Sequence, residues 1–109
     1  MLEIRSFTLK QGARAAFHEI VVEEAAPMLV RWNVDLVAQG PSAHDDVSYF
    51  VMRSYGSLEE RQASHDAFYG SSEWIEGPRE RILALIETYT TIVVPLPSAV
   101  IDELRTTSG

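Results

Sequence analysis

The chain opens with an alternation of apolar and polar residues. Leu2 and Ile4 point to one side of an extended backbone, and Glu3 and Arg5 point to the other. This period of two predicts a β-strand over residues 2–9. The strand therefore presents one apolar face and one face on which charged and apolar residues are mixed.

A helical period follows from residue 13 to about residue 32, with apolar residues at every third or fourth position. Pro27 lies inside this stretch, lacks a backbone donor and collides with the preceding turn. We therefore expect a kink or a restart of the helix there. Asn33 tolerates the left-handed conformation that a helix C-cap requires, which places the end of the helix at this residue.

Two further strands, at residues 34–39 and 47–55, flank a polar loop and predict a hairpin. Gly40 and Pro41 are expected to end the first strand. Three residues of the first strand are expected to share a face: Val34, Leu36 and Ala38. The second strand is the stronger of the two, because it is rich in aromatic and β-branched residues.

The second half of the chain predicts two helices and a last strand. Ser57 and Glu60 have the spacing of a capping box and start a helix. A short turn with Trp74 leads to Pro78, which suits the first position of another helix. A run of threonine, tyrosine, isoleucine and valine residues predicts the last strand at residues 88–95.

The order strand, helix, strand, strand, helix, strand is that of ferredoxin-like folds. We therefore predict an α+β fold, in which a four-stranded antiparallel sheet carries both main helices on one face. The 109 residues suit one domain. We place that domain at residues 1–96 and a C-terminal tail, with about one helical turn, at residues 97–109.

Both faces of the predicted sheet carry apolar residues. In the second hairpin strand, Tyr49 and Val51 lie on one face, and Phe50 and Met52 lie on the other. The last strand has the same property. A monomer keeps the outer face of such a sheet polar, and an apolar face left in water promotes aggregation. We therefore expect a homodimer in which the outer faces of two sheets pack together.

The composition argues against several classes of partner. Nine basic residues stand against sixteen acidic residues, and the formal net charge of −7 disfavours binding to nucleic acid or to an anionic membrane. Without cysteine, the chain forms neither disulfides nor cysteine-based metal sites. Its first residues do not resemble a secretion signal, and no apolar run has the length of a membrane span. We therefore expect a cytoplasmic protein.

The sequence also lacks the usual catalytic and cofactor motifs. None of the three histidines, His18, His44 and His65, has a second metal ligand at the spacing that a site requires. There is no G-x-S-x-G motif for a nucleophile, and the six glycines are scattered rather than grouped in a phosphate-binding loop. We therefore expect neither a metal nor a cofactor.

Arg5 and Arg53 are the most informative charged residues. Each lies inside a strand and shares a face with apolar or aromatic neighbours. An arginine on a buried sheet face needs an anion or a carboxylate as its partner. The two residues either line a pocket for an acidic or polar ligand or form inter-subunit salt bridges. Three carboxylates are candidates for these bridges: Glu3, Asp35 and Glu87.

Three other side chains complete the candidate pocket. Trp74 either stacks on a flat ligand or packs in the core. His65 has an ordinary pKa near neutrality and suits a general base if it faces the pocket, whereas otherwise it is a solvated surface residue. Tyr49 is expected to lie with them around the ring of a planar ligand. Arg5 and Arg53 would bind the polar group of that ligand. Arg61 is expected to lie on a charged face of its helix.

Four segments carry a resemblance to a known family. They are MLEIRSFTLKQG at the start, SLEERQ after a strand ending in RSY, the SSEW turn, and the closing ETYTTIVVPL. With these segments in this order, residues 1 to about 96 resemble the NIPSNAP family of dimeric α/β-barrel proteins. The sequence departs from that pattern at Asn33, where glycine is usual, and in the tail after Pro97.

The resemblance implies a ferredoxin-like protomer whose sheet pairs with that of a partner to close a barrel. It implies no settled activity. Proteins of the same architecture include cofactor-independent monooxygenases, haem-degrading enzymes and stress-responsive proteins, and a fold with so many roles does not determine a function.

Three hypotheses follow. The first is a NIPSNAP-like protein of unassigned biochemical role that binds a small organic molecule between sheet and helices. The second is a cofactor-independent monooxygenase or isomerase that acts on a planar organic substrate. The third is a scaffold recognised through its acidic helix face. The enzyme requires a cavity of at least about 300 Å³ on which the candidate side chains converge.

Overall fold

The computed structural model describes residues 1–105. Its elements follow in this order: β1 (Leu2–Leu9), α1 (Arg14–Ile20), a π-helical segment (Val21–Ala25), α2 (Ala26–Arg31), β2 (Asp35–Pro41), β3 (Ser48–Ser54), α3 (Leu58–Tyr69), α4 (Ser72–Glu76), α5 (Arg79–Leu85), β4 (Ile86–Val94) and α6 (Ser98–Leu104). The strands form one antiparallel sheet in the order β2-β3-β1-β4. The predicted α+β, ferredoxin-like fold is confirmed.

The two central strands separate the sheet into two faces. Arg5 pairs with Val51 of β3 and with Thr91 of β4, and these residues lie on the face that we call the helix side. Ile4 pairs with Met52 and Ile92 on the opposite face, which we call the outer face. The main core cluster fills the helix side and includes residues of α1 and α2. The faces predicted for the first strand and for the second hairpin strand are therefore confirmed.

The expected irregularity before Pro27 takes the form of the π-helical segment. A π-helix bonds one residue further back than an α-helix, which suits a point where the α-helical ladder is interrupted. Pro27 then stands in the first turn of α2, a part of a helix in which proline is tolerated. After α2, Asn33 adopts a φ of 61°, as predicted for the cap.

The prediction that Val34, Leu36 and Ala38 share one face is wrong. Leu36 pairs with Arg53 on the helix side, whereas Ala38 pairs with Met52 on the outer face, because a β-bulge shifts the register between them. The strand also continues past Gly40 to Pro41. A proline is tolerated there because β2 is an edge strand of the sheet.

The second half of the chain follows the prediction with three differences. Ser57 caps α3, and its Oγ accepts a hydrogen bond from the Glu60 backbone N–H at 3.1 Å. The expected turn around Trp74 is the short helix α4, whose Ser71 cap accepts from the Trp74 backbone N–H. The last strand begins at Ile86 rather than Thr88, because the irregular end of the β1–β4 ladder pairs Ile86 with Leu9.

The third difference is that the tail folds as α6 and covers part of the outer face. Ile101 of α6 forms a second core cluster with Leu2 and Val37. Arg105 fixes the end of this helix through two hydrogen bonds to Asp35, of 2.7 and 2.8 Å. Beyond this cluster Ile92 remains 58% exposed. The outer face is therefore neither bare nor fully covered. None of the helices in residues 1–105 is long and apolar enough to cross a membrane.

Candidate functional site

A cluster of charged side chains lies on the helix side of the sheet, near the beginning of β1. Glu3 and Arg5 are two residues apart on this strand and therefore share a face. The register of β3 places Arg53 directly opposite Glu3. Arg61 reaches the same carboxylate from α3. Strand alternation and strand pairing thus bring residues that are distant in sequence to one point.

Glu3 is the centre of this cluster and is fully buried. Its Oε1 accepts a hydrogen bond from Arg5 Nε at 2.9 Å, and its Oε2 accepts one from Arg61 Nε at 2.5 Å. Burial raises the pKa of Glu3, but the charges and hydrogen bonds of the arginines outweigh this effect and hold the pKa below its ordinary value. Glu3 is therefore an anion at neutral pH. The strand arginines find their carboxylate in their own chain rather than in a second subunit.

The ring of Tyr69 lies against both strand arginines. The Cζ atoms of Arg5 and Arg53 are 5.3 and 5.6 Å from its centroid, within the range of cation–π contacts. Arg53 Nη2 also donates a hydrogen bond to the Tyr69 hydroxyl at 2.7 Å. Burial lowers the pKa of Arg53, but Tyr69 and Glu3 raise it by more, so this guanidinium remains a cation. Three positive charges therefore face the single negative charge of Glu3.

One donor of the cluster has no acceptor. Arg53 is 5% exposed, and its Nε is buried without a hydrogen bond to any residue of the described chain. The nearest carboxylate oxygen, Oε1 of Glu3, lies 3.8 Å away, too far for a hydrogen bond. Nearly all buried polar groups in proteins have a partner. Arg53 therefore has the capacity for one further acceptor.

A cavity of about 140 Å³ lies beside this cluster, between the sheet and the helices. Its lining is mainly apolar and includes Val51 of β3, Phe68 of α3 and Ile82 of α5. Val21 and Ala25 of the π-helical segment also line it. The irregular part of the first long helix therefore forms a wall of the cavity, in keeping with the frequent occurrence of such segments at functional sites.

The polar side chains that line the cavity include those of Arg5, Arg53 and Gln39 of β2. Gln39 pairs with Val51 and reaches the helix side because of the bulge that precedes it. Leu83 and Tyr89 line the cavity too, and they are 45% and 56% exposed. The cavity thus has an apolar body, buried cations in its wall, and solvent-accessible residues along its border.

Three of the five candidate residues line one cavity, and the other two, Tyr49 and His65, do not. Arg5, Arg53 and Trp74 line the same cavity. Trp74 is 9% exposed, and its ring centroid lies 5.4 Å from that of Phe68 and 5.2 Å from that of Tyr69. Trp74 therefore packs in the core and also lines the cavity. The two interpretations of this residue from the sequence are compatible with each other.

Tyr49 faces the helix side but does not line the cavity. Its hydroxyl lies 2.7 Å from His18 Nδ1, and its ring contacts Phe17 edge-on at a centroid distance of 5.0 Å. Burial raises the pKa of Tyr49 to about 12. A neutral, hydrogen-bonded phenol in the core supports the helix α1 and offers no ionised group at neutral pH.

His65 lies beside the charged cluster without lining the cavity. It is half-buried, and its ring centroid is 4.5 Å from that of Tyr69. Burial and the positive charges of Arg5, Arg61 and Arg53 lower its pKa, although Glu3 acts in the opposite direction. The imidazole is therefore neutral at pH 7, and it is not the solvated surface residue that its sequence neighbours suggest.

Two residues of the site were not predicted from the sequence. Arg61 is half-buried on Glu3 rather than part of a solvated helix face, and Tyr69 binds both strand arginines as well as stacking on other aromatic rings. The one signal in the sequence is the position of Tyr69 two helical turns after Arg61. That spacing puts both side chains on one side of α3 but does not show where this side docks.

A second and more open groove, of about 520 Å³, lies between α3, α6 and the end of β3. Its carboxylates already have partners, because Asp35 pairs with Arg105 and Glu60 accepts from the Gly56 backbone N–H. None of the five candidate residues lines this groove. Nor do residues 1–105 contain a group of three or more side chains suited to hold a metal ion.

Solved structures with a similar fold are found in several bacteria. An uncharacterised NIPSNAP domain protein from Burkholderia xenovorans is 18% identical, with a TM-score of 0.77 over 87% of this chain and 93% of that one. A NIPSNAP family protein with unknown function from Agrobacterium tumefaciens is 22% identical, with a TM-score of 0.78 over 85% of this chain and 84% of that one. A predicted antibiotic biosynthesis monooxygenase from Nitrosomonas europaea is 14% identical, with a TM-score of 0.62 over 84% of this chain and 92% of that one.

No protein-family model matches the sequence, and no curated protein does either. At these identities the structural matches establish the fold, while the function has to be argued from the site. The NIPSNAP structures agree with the fold of this chain better than the monooxygenase-related structure does. The chain therefore has the ferredoxin-like fold of NIPSNAP proteins, and the resemblance seen in its sequence is confirmed at the level of the fold.

Proposed function

We propose that this chain is a NIPSNAP-like binding protein that holds a small organic molecule in the cavity between its sheet and its helices. The observation that carries the proposal is an apolar cavity whose wall contains the buried cations Arg5 and Arg53. Small-molecule sites typically combine a mostly apolar wall with a few fixed polar groups. A cytoplasmic location remains part of the proposal, and a chain without cysteine, which needs no disulfide, is compatible with it.

The size of the cavity limits the ligand. Its volume of about 140 Å³ is close to the roughly 150 Å³ of an engineered protein cavity that binds benzene. One aromatic ring, or an aliphatic group of similar volume, therefore fits. The same volume is below the roughly 300 Å³ that we set for an enzyme acting on a larger planar compound, and Tyr49 and His65 lie outside the cavity lining. We therefore propose binding and no reaction.

Toluene at millimolar concentration is a suitable neutral probe. Binding to the folded state raises Tm in proportion to the logarithm of the probe concentration above Kd. Ala25→Leu places three more carbon atoms in the cavity and is expected to weaken toluene binding at least about tenfold, the equivalent of about 1.4 kcal/mol. The measurement is the toluene-dependent shift in Tm, checked by calorimetric titration.

Ala16→Leu is the matched control, because Ala16 is exposed on the same long helix. It adds the same atoms away from the cavity and leaves toluene binding unchanged. Equal toluene binding by the two variants would show that the probe occupies another place. An absence of binding to the unmodified protein would refute the proposal itself.

We further propose that the protein forms a homodimer through the outer face of the sheet. The support is the apolar band that α6 leaves uncovered, where Ile92 is 58% exposed and Ile4, Phe50 and Met52 are half-buried. Apolar contacts of this kind favour association of the chain with a second copy. The contribution of α6 makes the available area smaller than the sequence suggested.

Sedimentation equilibrium at micromolar concentration tests this part of the proposal. The unmodified chain is expected to sediment as twice its 12.2 kDa mass. Ile92→Lys places a charge in the band and shifts the population towards the monomer. Val30→Lys is the control, since Val30 is 60% exposed on α2 and outside the outer face. A stable monomer of the unmodified chain would exclude the dimer and leave the cavity proposal intact.

A further inference from the structure

We infer that the ligand of the cavity is a small carboxylate, in which an apolar body of about one ring fills the cavity and the carboxylate group binds Arg53 and Arg5. The inference rests on the proposed function, because it takes the cavity as the binding site. It adds the chemical class of the ligand and the residues that select it.

The first argument is the imbalance of charge beside the cavity. Arg5, Arg53 and Arg61 surround one carboxylate, Glu3. The side chains of Arg5 and Arg53 are both nine-tenths or more buried, so water does little to stabilise their charges. A second negative charge in contact with these two residues removes part of that imbalance. A ligand carboxylate brings such a charge, whereas a neutral or cationic ligand does not.

The second argument is the free donor. Arg53 Nε is buried and has no acceptor among residues 1–105, while Arg53 Nη2 is already bound to the Tyr69 hydroxyl. Arg53 also lines the cavity. A charged donor buried without a partner is costly, and an ionised acceptor forms the strongest hydrogen bond to it. This Nε does not itself open onto the cavity, so a carboxylate bound there becomes its acceptor when the guanidinium turns towards the cavity.

The third argument concerns the body of the ligand. Away from the arginines the cavity is lined by side chains such as Leu29, Val51 and Ile82, which offer no hydrogen bonds. The volume of about 140 Å³ accepts roughly one ring. A phosphate or sulfate ion would occupy the charged end and leave this apolar part empty. The cavity thus favours an amphipathic anion over an inorganic one.

The net charge of the chain makes this preference specific. With a formal charge of −7, the protein as a whole repels anions. Any preference for a carboxylate over a neutral molecule of the same shape therefore has to come from the local cations. The comparison of benzoate with benzamide isolates this effect, because the two molecules share the ring and nearly the same outline.

Calorimetric titration of the unmodified protein with benzoate and with benzamide at pH 7 tests the inference. Hydrogen bonds to charged groups predict that benzoate binds about ten- to a hundredfold more tightly than benzamide. Arg53→Met is expected to remove most of this preference, since only Arg5 is left to bind the carboxylate, while benzamide and toluene still bind. Arg53→Lys keeps the charge but not Nε, and it is expected to retain only part of the preference.

Arg79→Met is the matched control, because Arg79 is exposed on α5 and does not line the cavity. It removes the same charge and leaves the preference for benzoate unchanged. If Arg53→Met does not fold, the comparison of the two ligands on the unmodified protein and the Arg53→Lys variant still test the inference.

The results separate the two proposals. Equal affinities for benzoate and benzamide, with toluene bound, would overturn the carboxylate inference and leave the cavity as a binding site. A preference for benzoate that is undiminished in Arg53→Met would also overturn it, because the anion would then bind elsewhere. If no probe binds, the proposed function fails, and the inference fails with it.

Discussion

The two faces of the sheet differ in which residues they bury and which they leave exposed. On the helix side, charged residues are buried beside an apolar cavity, with Arg5 and Arg53 at its charged end. On the outer face, apolar residues are partly exposed, and only Leu2 and its neighbours are sealed by α6. Successive residues of one strand, β1, supply both arrangements.

This difference shows how a small domain divides its roles. A charged cluster in the core is expensive to desolvate and is weak evidence for stability by itself. In the proposed function, its position beside a cavity gives it a role in ligand binding. An apolar surface left in water is also unfavourable, and association with another chain gives that surface a use. In the proposed function, one face binds the ligand and the other binds a second copy.

The largest expected effect comes from removing the only carboxylate of the charged cluster. Glu3→Gln leaves three arginines without their common anion and is expected to reduce the free energy of unfolding by about 3–5 kcal/mol. Urea denaturation at pH 7 measures this loss. Glu59→Gln, at an exposed position of α3, removes one negative charge from the surface and serves as the control.

The same residue predicts an acid dependence. Because the fold lowers the pKa of Glu3 from its ordinary value of 4.5, the stabilisation is present above that pH and is lost as the pH falls through the folded value. Glu3→Gln is expected to flatten this part of the pH profile. An unchanged acid profile in the variant would mean that Glu3 is not the anion of the cluster.

A smaller effect is expected on the outer face. Ile101 is 2% exposed where α6 packs on Leu2 and Val37. Ile101→Ala is expected to cost about 2–4 kcal/mol, because it leaves a cavity that the sheet cannot fill. Val100→Ala, at a residue 41% exposed on the same helix, is the control. Equal unfolding midpoints for the two variants would show that α6 does not seal the outer face.

The smallest effect appears in alkali. The pKa of Tyr49 rises from 10.0 to about 12 in the fold, so the folded state keeps a proton that the unfolded chain releases. Stability is therefore full below pH 10 and falls by about 2–3 kcal/mol as the pH rises towards 12. Tyr49→Phe removes this decline, whereas Tyr89→Phe, at an exposed tyrosine, retains it. Urea denaturation across this pH range measures both.

Much of the fold could be predicted because its signals are local. The alternation of β1 sorts Ile4 from Arg5, the capping box starts α3, and the proline inside the first helix marks its irregular segment. The bulge of β2 could not be predicted, since one extra residue between Leu36 and Ala38 depends on pairing with β3 rather than on the pattern of β2 itself.

The candidate site was predictable only in part, for the same reason. A buried arginine on a strand demands an anion, and this rule identified Arg5 and Arg53. The choice of Glu3 depends on the register between β1 and β3. The contribution of Tyr69 depends on how α3 docks against the sheet, which its own sequence does not specify. Periodicity predicts on which face of an element a residue lies, whereas its contact partner depends on tertiary packing.

The most direct test of the division between the two faces is methyl NMR of the full chain titrated with benzoate. We expect chemical-shift changes at Val21, Val51 and Ile82, which line the cavity, and none at Ile4 or Ile92 on the outer face. Changes confined to the outer face, or an unperturbed spectrum at saturating benzoate, would contradict the account.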